Sequence, residues 1–250
     1  MTTSRDHLEA SRIAVEAGHL LLSARKSLND EGTQPARVAD EGDRLSHELI
    51  MKSLAESHPD DAVLSEEGRD DVQRLEQRRV WVVDPLDGTR EFSEGRSDWA
   101  VHVALVVDHE PVAGAVALPG EGLVFDTANP PHPVPAAEGP IRMVVSRTRP
   151  PELATLLAQR LEAELVEMGS AGVKVMAVMR GQADVYVHAG GQYEWDSAAP
   201  VAVATAGGLH ASRIDGSALR YNQADVRLPD LLVCRPELSD RILALLSDLL

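Results

Sequence analysis

Residues 81–92, with the sequence Trp-Val-Val-Asp-Pro-Leu-Asp-Gly-Thr-Arg-Glu-Phe, constrain the fold more than any other feature of the chain. The apolar start predicts a buried strand that delivers Asp84 and Asp87 into a turn stiffened by proline. Gly88 would let the backbone approach a ligand closely, and Thr89 adds a hydroxyl. Two carboxylates followed by free backbone amides suit a site where metal ions meet phosphate. The competing interpretation is an ordinary β-turn, since Asp-Pro and Asp-Gly are common turn dipeptides.

Further acidic residues border apolar stretches elsewhere in the chain. Glu66 and Glu67 follow a short apolar run, and Asp196 stands directly before an alanine- and valine-rich stretch. Taken singly, a glutamate pair after a strand is most often a solvated loop, and an aspartate before a helix is most often an N-cap. Hard divalent cations, however, need oxygen ligands gathered from separate segments. Together with Asp84 and Asp87, these residues would provide such a set.

The charge balance restricts the partners. The chain of 250 residues carries 24 basic and 40 acidic residues, which gives a net charge of −16 with neutral histidines. A field of that sign repels nucleic-acid polymers and acidic membrane surfaces, so we expect neither as a partner. A small phosphate ester would also be repelled unless bound cations reversed the potential locally. The composition therefore favours a metal-dependent site over a metal-free one.

Cysteine content and hydropathy indicate the compartment. No apolar stretch approaches the ~20 residues that span a bilayer, and no signal-peptide pattern opens the chain. The single cysteine, Cys234, excludes an internal disulfide and fits a reducing environment. It lies in an apolar run and is predicted to be a core residue. We therefore expect a cytoplasmic protein.

Hydrophobic patterning predicts alternating helices and strands without an internal repeat. At 44% hydrophobic residues the chain can bury a substantial core. The proline-rich tract at 129–140 is the best candidate for a linker. Helices are predicted at about 7–26, 44–56, 151–164, 196–206 and 238–250. Strands are predicted at 80–83, 99–107, 112–118, 123–126, 141–145, 183–188 and 231–234.

Three motifs together resemble a known family. Residues 65–68 (Ser-Glu-Glu-Gly), 84–89 and 195–200 (Trp-Asp-Ser-Ala-Ala-Pro) are similar to the signatures of the magnesium-dependent, lithium-sensitive phosphatases of the inositol monophosphatase superfamily. The motifs occur in the family order, and the resemblance spans about residue 10 to the last residue. Within the superfamily, residues 89–92 (Thr-Arg-Glu-Phe) resemble the bisphosphate nucleotidase branch, whereas inositol phosphatases more often carry Thr-Thr-Asn-Phe.

The resemblance implies an architecture. The family fold is an α/β (α+β) layered sandwich of the order α/β/α/β/α. An N-terminal α+β half at 1–140 would carry most metal ligands, and a C-terminal α/β half at 141–250 would carry Asp196 and the residues that set substrate specificity. We also expect a homodimer.

The resemblance further implies two Mg²⁺ ions per site, of which one activates water and the other stabilises the leaving oxygen. The first ion would be held by Glu66, Asp84 and the carbonyl of Leu86. The second ion would be held by Asp84, Asp87 and Asp196. The phosphate of a small-molecule ester would lie against the amides of Gly88 and Thr89. A third ion, seen in some relatives, is left open.

The family aligns its attacking water with the threonine of the central motif, here Thr89, and with an aspartate near the start of the second helix. Residues 37–43 (Arg-Val-Ala-Asp-Glu-Gly-Asp) lack the threonine of the family pattern and offer two aspartates. The family places this aspartate seven residues before an apolar helix position, and Asp43 with Ile50 reproduces that spacing. Asp43 is therefore preferred over Asp40, which would be a solvated loop residue or a helix cap.

Substrate recognition is predicted from weaker similarities. Positions that resemble those holding the second phosphate or the adenosine in nucleotidases are Arg90, Ser146, Arg147, Ser170 and Lys174. The other substrate contacts implied by the resemblance are Glu66, Leu86, Asp87, Gly88, Thr89 and Asp196. The competing interpretation for the cations is solvated surface near turns. His188 has no metal-ligand spacing and is predicted to be structural.

The sequence leaves three possible functions open. The first is release of the 3′-phosphate of 3′-phosphoadenosine 5′-phosphate to give AMP, which recycles a by-product of sulfate assimilation. The second is hydrolysis of inositol phosphates or fructose 1,6-bisphosphate, also conceivable as a side activity. The third is ligand binding without catalysis. The complete set of candidate ligands argues against the third, and the pair Arg90-Glu91 favours the first over the second.

Overall fold

The structure is a computed structural model that describes residues 2–135 and 138–250. Its helices are α1 (Ser4–Asp30), α2 (Pro35–Ser57), α3 (Thr89–Ser93), α4 (Glu152–Leu161), α5 (Ala171–Met179), α6 (Glu194–Ala206) and α7 (Ser239–Leu249). Its strands are β1 (Ala62–Ser65), β2 (Arg79–Asp87), β3 (Ala100–Val107), β4 (Glu110–Leu118), β5 (Leu123–Asp126), β6 (Arg142–Ser146), β7 (Glu164–Met168), β8 (Val185–Tyr193), β9 (His210–Ser212) and β10 (Arg227–Cys234).

The first sheet has the strand order β1-β2-β3-β4-β5 and is covered on both faces. Successive side chains of a strand point to opposite faces. Accordingly, Trp81 and Val83 of β2 join the core formed with α1 and α2, whereas Val80 and Val82 join a core shared with α5, α6 and the second sheet. Burial on both faces explains why β2 is an uninterrupted apolar run rather than an alternating one.

The second sheet has the order β7-β6-β8-β10-β9. Val144 of β6 faces the core shared with α5 and α6, whereas Met143 and Val145 face an outer core formed with α4 and α7. The layers are therefore α1/α2, first sheet, α5/α6, second sheet and α4/α7. This order confirms the predicted α/β/α/β/α sandwich.

Each sheet draws its strands from one side of residue 140, as the predicted halves would require. The halves share the α5/α6 layer as one continuous core, and their division at 140 stays a prediction. The described residues of the proline-rich tract, 129–135 and 138–140, contain no helix or strand. It is bound to the second half, because Val134 donates its amide to Met179 and accepts a bond from Arg235.

The structure differs from the sequence predictions at several elements. α2 begins at Pro35, nine residues before the predicted start, because proline fits the first turn of a helix. Asp40 therefore lies inside a helix, neither in a loop nor at a cap. α5 was missed because all nine of its residues are buried between the sheets, which leaves no amphipathic signal. The exposed edge strand β7 and the short β9 were missed as well.

Among the described residues, no helix combines the length and the apolar character needed to cross a membrane.

Candidate active site

The two carboxylates of the central motif lie at the end of β2. The predicted turn is wrong: the strand continues to Asp87 and contains a bulge, because Asp84 pairs with His102 and Asp87 with Ala100. Pro85 is tolerated because it falls within the bulge. Asp84 and Asp87 are 1% and 8% exposed. Two buried acids are thus fixed on one rigid strand.

Gly88 ends this strand and begins α3. Its φ of +94° lies in the left-handed region, and a Cβ at this position would approach Trp99 to 3.2 Å. Thr89 follows as the first residue of α3, and its hydroxyl donates to the carbonyl of Leu86 at 3.1 Å. The backbone therefore changes direction at Gly88, directly after the two carboxylates, and the predicted close approach to a ligand stays a prediction.

Glu66 lies beside the same strand. Its amide donates to the carbonyl of Val83 at 3.3 Å, which places it alongside the end of β2. Its side chain opens onto solvent, yet burial of the carboxyl raises its pKa to about 7, while a hydrogen bond with Asp84 opposes that rise. Burial and the charges of Glu66 and Asp87 hold the pKa of Asp84 well above its usual range. Burial and mutual repulsion therefore favour the protonated forms of these acids when no cation is bound.

Asp196 reaches the site from the other half of the molecule. The helix α6 begins two residues before the predicted start, so Asp196 lies in its first turn and is not the N-cap that the sequence predicted; it accepts the amide of the actual N-cap residue, Tyr193, at 2.6 Å, as the second half of a capping box. Burial, followed by the charge of Asp87, raises the pKa of Asp196 to about 8. The cap and the approach to Asp87 therefore coexist, and neither interpretation of Asp196 displaces the other.

Glu66, Asp84, Asp87 and Asp196 are called the acidic group below. Asp43 lies on α2 and faces this acidic group. Burial, followed by the charges of Glu67 and Glu66, raises the pKa of Asp43 to about 8, against the opposing effect of the Thr89 hydroxyl. Asp43 is half-buried, whereas Asp40, one turn earlier, is exposed. The preferred aspartate of the sequence analysis thus lies next to the threonine with which it was paired.

Residues at the start of α5 hold Asp87. The Ser170 hydroxyl donates to Asp87 Oδ2 at 2.5 Å and the Gly172 amide donates to the same oxygen at 2.7 Å. Ser170 and Lys174, predicted near a turn, belong to a buried helix start. The Lys174 ammonium donates to the carbonyls of Gly169 and Ser170 at 2.5 and 2.7 Å. Its positive charge is thereby fixed near the acids rather than solvated.

The acids can hold a metal ion. Asp84, Asp87 and His102 offer ligand atoms that lie within 4.8 Å of one another, and all three are buried. Carboxylates with pKa values raised into the neutral range repel one another when ionised, and a divalent cation would relieve that repulsion. The donor set is mainly oxygen, as Mg²⁺ and Mn²⁺ prefer. His102 was missed because no sequence spacing connects it to the acids.

A polar cleft of about 220 Å³ opens beside Asp87 and Asp196. Of the predicted substrate residues, those lining it are Asp87, Gly88, Ser146, Ser170, Lys174 and Asp196. Residues that line it but were not predicted are Glu91, Thr148, Arg149, Met168, Gly169, Ala171, Tyr186, His188 and Gln192. His188 forms part of the cleft wall, and its Nε2 bonds the carbonyl of Gly190 at 2.6 Å; its predicted structural role stays a prediction.

The arginines differ in their surroundings. Arg147 does not line the cleft, because its guanidinium pairs with Glu91 at 2.8 Å and with Glu94 at 2.9 Å. Arg90 is exposed on α3, outside the cleft lining. Arg149 is exposed and lines the cleft, and no acid among the described residues pairs with it. It is the cleft cation that remains available to a ligand.

The chain is similar in sequence to a family of phosphatases whose members include bisphosphate nucleotidases. The model of the inositol monophosphatase family matches residues 5–250. The chain is 48% identical over 242 residues to the 3′-phosphoadenosine 5′-phosphate phosphatase of Mycobacterium bovis, covering 93% of this chain and 90% of that protein. It is 32% identical over 212 residues to the 3′(2′),5′-bisphosphate nucleotidase CysQ of Escherichia coli, covering 76% and 85%.

A solved structure with the same arrangement is that of CysQ from Bacteroides thetaiotaomicron. It superposes with a TM-score of 0.80 at 28% identity and covers 93% of this chain and 97% of that one. The chain belongs to the inositol monophosphatase family.

Proposed function

We propose that this protein is a metal-dependent phosphomonoesterase that removes the 3′-phosphate of 3′-phosphoadenosine 5′-phosphate and yields AMP and phosphate. The observation that carries the proposal is the 48% identity, over 93% of the chain, to a protein named for that activity. The buried acids and the adjoining polar cleft provide the site such a reaction needs. The pair Arg90-Glu91 agrees with the nucleotidase branch.

Two Mg²⁺ ions are proposed as the cofactors, with a third left open. When bound, they would activate the attacking water and stabilise the leaving oxygen. The proposed ligands are Glu66, Asp84, the carbonyl of Leu86, Asp87 and Asp196. Their four negative charges match two divalent cations, which supports the count of two. Glu67 is the further acid that a third ion would use.

Asp43 and Thr89 are proposed to orient the attacking water. The two side chains are neighbours, and the raised pKa of Asp43 makes its carboxylate a stronger base than a solvated aspartate. One proton of the water passes to Asp43 as the water oxygen forms a bond to phosphorus and the bond from phosphorus to the 3′ oxygen breaks. The 3′ oxygen takes up a proton from solvent to complete AMP, and Asp43 returns its proton to solvent. A hydroxyl and a carboxylate held on two helices restrict the water to one direction.

The amides of Gly88 and Thr89 are proposed to hold the reacting phosphate, and Ser146, Ser170 and Lys174 to line the path of the nucleotide. Arg90 and Arg147 stay candidates for the second phosphate. The geometry adds Arg149, which is the arginine with a free guanidinium at the cleft. Arg147 acts mainly on Glu91, whose negative charge it balances beside the cleft.

The protein is further proposed to be a cytoplasmic homodimer. The single, buried Cys234 fits a reducing compartment, and the dimer is carried over from the family resemblance. Light scattering of the purified protein tests the dimer directly.

The test of the function is turnover of purified protein with Mg²⁺ on three substrates at equal concentration: 3′-phosphoadenosine 5′-phosphate, inositol 1-phosphate and fructose 1,6-bisphosphate. We expect the first to give the highest kcat/KM. A higher value for either of the others would replace the nucleotidase assignment within the same family. Binding of the nucleotide without release of phosphate would favour a non-catalytic relative. Inhibition by lithium is expected from the family resemblance.

A further inference from the structure

His102 is the buried residue that directly neighbours the acidic group from β3. It pairs with Asp84 across the β2–β3 ladder and has no exposed surface. Its ring is packed against the start of α5, where a Cβ added to Gly172 would come within 2.1 Å of Nε2. The ring therefore occupies a fixed position between two elements of the site.

The two ring nitrogens of His102 face two different segments of the site. Nδ1 lies 3.2 Å from the carbonyl oxygen of Trp195, the residue that precedes Asp196. Nε2 lies 3.2 Å from Asp87 Oδ2, and it has no aligned hydrogen-bond partner among the residues that the structure describes. Both oxygens are acceptors and an uncharged imidazole carries one N–H, so the ring donates to one of them at a time. Its position nevertheless spans from the carboxylate of β2 to the first turn of α6.

The Asp87 oxygen that His102 contacts, Oδ2, already accepts two hydrogen bonds. Asp87 Oδ2 accepts the Ser170 hydroxyl and the Gly172 amide, so His102 completes its surroundings on a third side. No bond to the other oxygen, Oδ1, is found within residues 2–135 and 138–250. The Asp87 carboxylate is consequently fixed through Oδ2, and its Oδ1 is available to bind a cation.

We propose that His102 is a positioning residue that fixes the Asp87 carboxylate, and with it the Asp196 segment, in the orientation that binds a divalent cation. The proposal rests on the metal-dependent function proposed above. Partners of metal ligands set the ligand's orientation, and their loss typically weakens metal affinity by about 10- to 100-fold. A buried nitrogen without an aligned bond destabilises a fold, so a side chain kept only for packing would better be apolar.

Two substitutions separate the two contacts of the ring. In His102→Asn the amide can occupy the place of Nδ1 and keep the bond to Trp195, but it is too short to reach Asp87. In His102→Gln the amide can occupy the place of Nε2 beside Asp87. His210→Gln is the matched control, because His210 lies on the edge strand β9 and contacts Ser212.

The experiment is a titration of metal-free protein with Mn²⁺, in which free Mn²⁺ is followed by electron paramagnetic resonance. We expect H102N to raise the dissociation constant by about 10- to 100-fold, H102Q to recover most of the affinity, and H210Q to match the wild type. The melting temperature of the metal-free protein should be similar for H102N and H102Q.

Other outcomes would overturn the proposal. Unchanged affinity in H102N would remove any role for the Asp87 contact. Equal weakening in both variants, together with lowered melting temperatures, would assign His102 to packing. A nitrogen hyperfine coupling from His102 to bound Mn²⁺ would make it a direct ligand instead. Failure of the wild type to bind Mn²⁺ at all would refute the metal-dependent function itself, and the role of His102 with it.

Discussion

The Ser170 hydroxyl donates to the carboxylate of Asp87 at 2.5 Å. Asp87 ends β2 in the first sheet, and Ser170 caps α5, where its oxygen also accepts the amide of Val173 at 3.1 Å. This bond joins the two halves of the chain at the candidate site. The lining of the cleft comes from both halves, and Asp196 reaches Asp87 from the second half, so both features require the two halves to be packed together.

The first prediction concerns the cations. Chelation by excess EDTA should abolish phosphate release from 3′-phosphoadenosine 5′-phosphate, and added Mg²⁺ or Mn²⁺ should restore it. The reason is that clustered acids with raised pKa values repel an anionic substrate unless cations neutralise them. Phosphate release is measured before chelation, after chelation and after readdition. Turnover that persists in EDTA would contradict a metal-dependent site.

The second prediction concerns the roles of two aspartates. Asp87→Asn and Asp196→Ala should each lower kcat by about a thousandfold or more, which corresponds to about 4 kcal/mol of lost transition-state stabilisation. Asp196→Ala should also cost about 1 kcal/mol of folding stability, because the bond to the Tyr193 amide is lost. Turnover and the free energy of unfolding are measured on the same preparations.

A capping aspartate far from the site provides the control. Asp71 accepts the amide of Gln73 at 3.0 Å at the start of a short 3₁₀ helix. Asp71→Ala should lower stability by a similar amount and leave kcat unchanged. If Asp196→Ala behaves in the same way as Asp71→Ala, Asp196 is only a helix cap.

The central motif could be predicted from the sequence because its residues are local. Asp84 and Asp87 lie on one strand and Gly88 directly follows it, so their proximity is fixed by chain connectivity. The bulge that carries Pro85 was not predictable, because it depends on pairing with β3. Asp196 could be assigned through the family resemblance, although its approach to Asp87 requires packing across the sheets.

Residues whose roles depend on distant partners could not be predicted. Arg147 is paired with Glu91, which lies 56 positions earlier in the chain, and nothing local indicates that its charge is already balanced. Lys174 belongs to a helix that is apolar on every side, so neither the helix nor the burial of its ammonium has a periodic signal. His102 contacts Asp87 and Trp195 only through the tertiary fold.

The third prediction is that the metal-free protein loses stability as the pH rises from about 7 to about 8.5. Burial raises the pKa values of Asp43 and Asp196 to about 8, whereas carboxyls in an unfolded chain titrate near 4. The folded state therefore binds these protons more tightly, and the stability they add at low pH is lost as the pH rises through 8. The pKa of His188 is lowered to about 4, so this residue makes the folded state more stable as the pH rises. That gain is complete by about pH 7, where histidines of the unfolded chain are also uncharged.

Melting temperatures of metal-free protein at the two pH values check this prediction. Saturating Mg²⁺ should remove most of the difference, because the cation stabilises the ionised carboxylates. In Asp43→Asn the decrease should be smaller than in the wild type, since one of the titrating groups is gone. A melting temperature that rises over this interval, or an unchanged decrease in Asp43→Asn, would contradict the assigned direction of the pKa shifts.

The fourth prediction separates the arginines at the cleft. Arg149→Gln should lower kcat/KM for 3′-phosphoadenosine 5′-phosphate by roughly ten- to a hundredfold, because a charge-assisted contact contributes about 1.5–3 kcal/mol. Hydrolysis of inositol 1-phosphate, which has no second phosphate, should change much less. Arg147→Gln should instead reduce both activities, because it leaves the carboxylate of Glu91 unbalanced beside the cleft.

Steady-state kinetics on both substrates with each variant provide the measurement. Arg90→Gln is the comparison, since Arg90 is exposed outside the cleft lining and tests whether any nearby cation has the same effect. A selective loss in Arg149→Gln that is absent from Arg90→Gln would assign the second phosphate to Arg149. A selective loss in Arg147→Gln alone would mean that its ion pairs with Glu91 and Glu94 open when the nucleotide binds. Equal, small effects in all three variants would leave the second phosphate to Lys174 and the backbone, and would refute a role for the arginines.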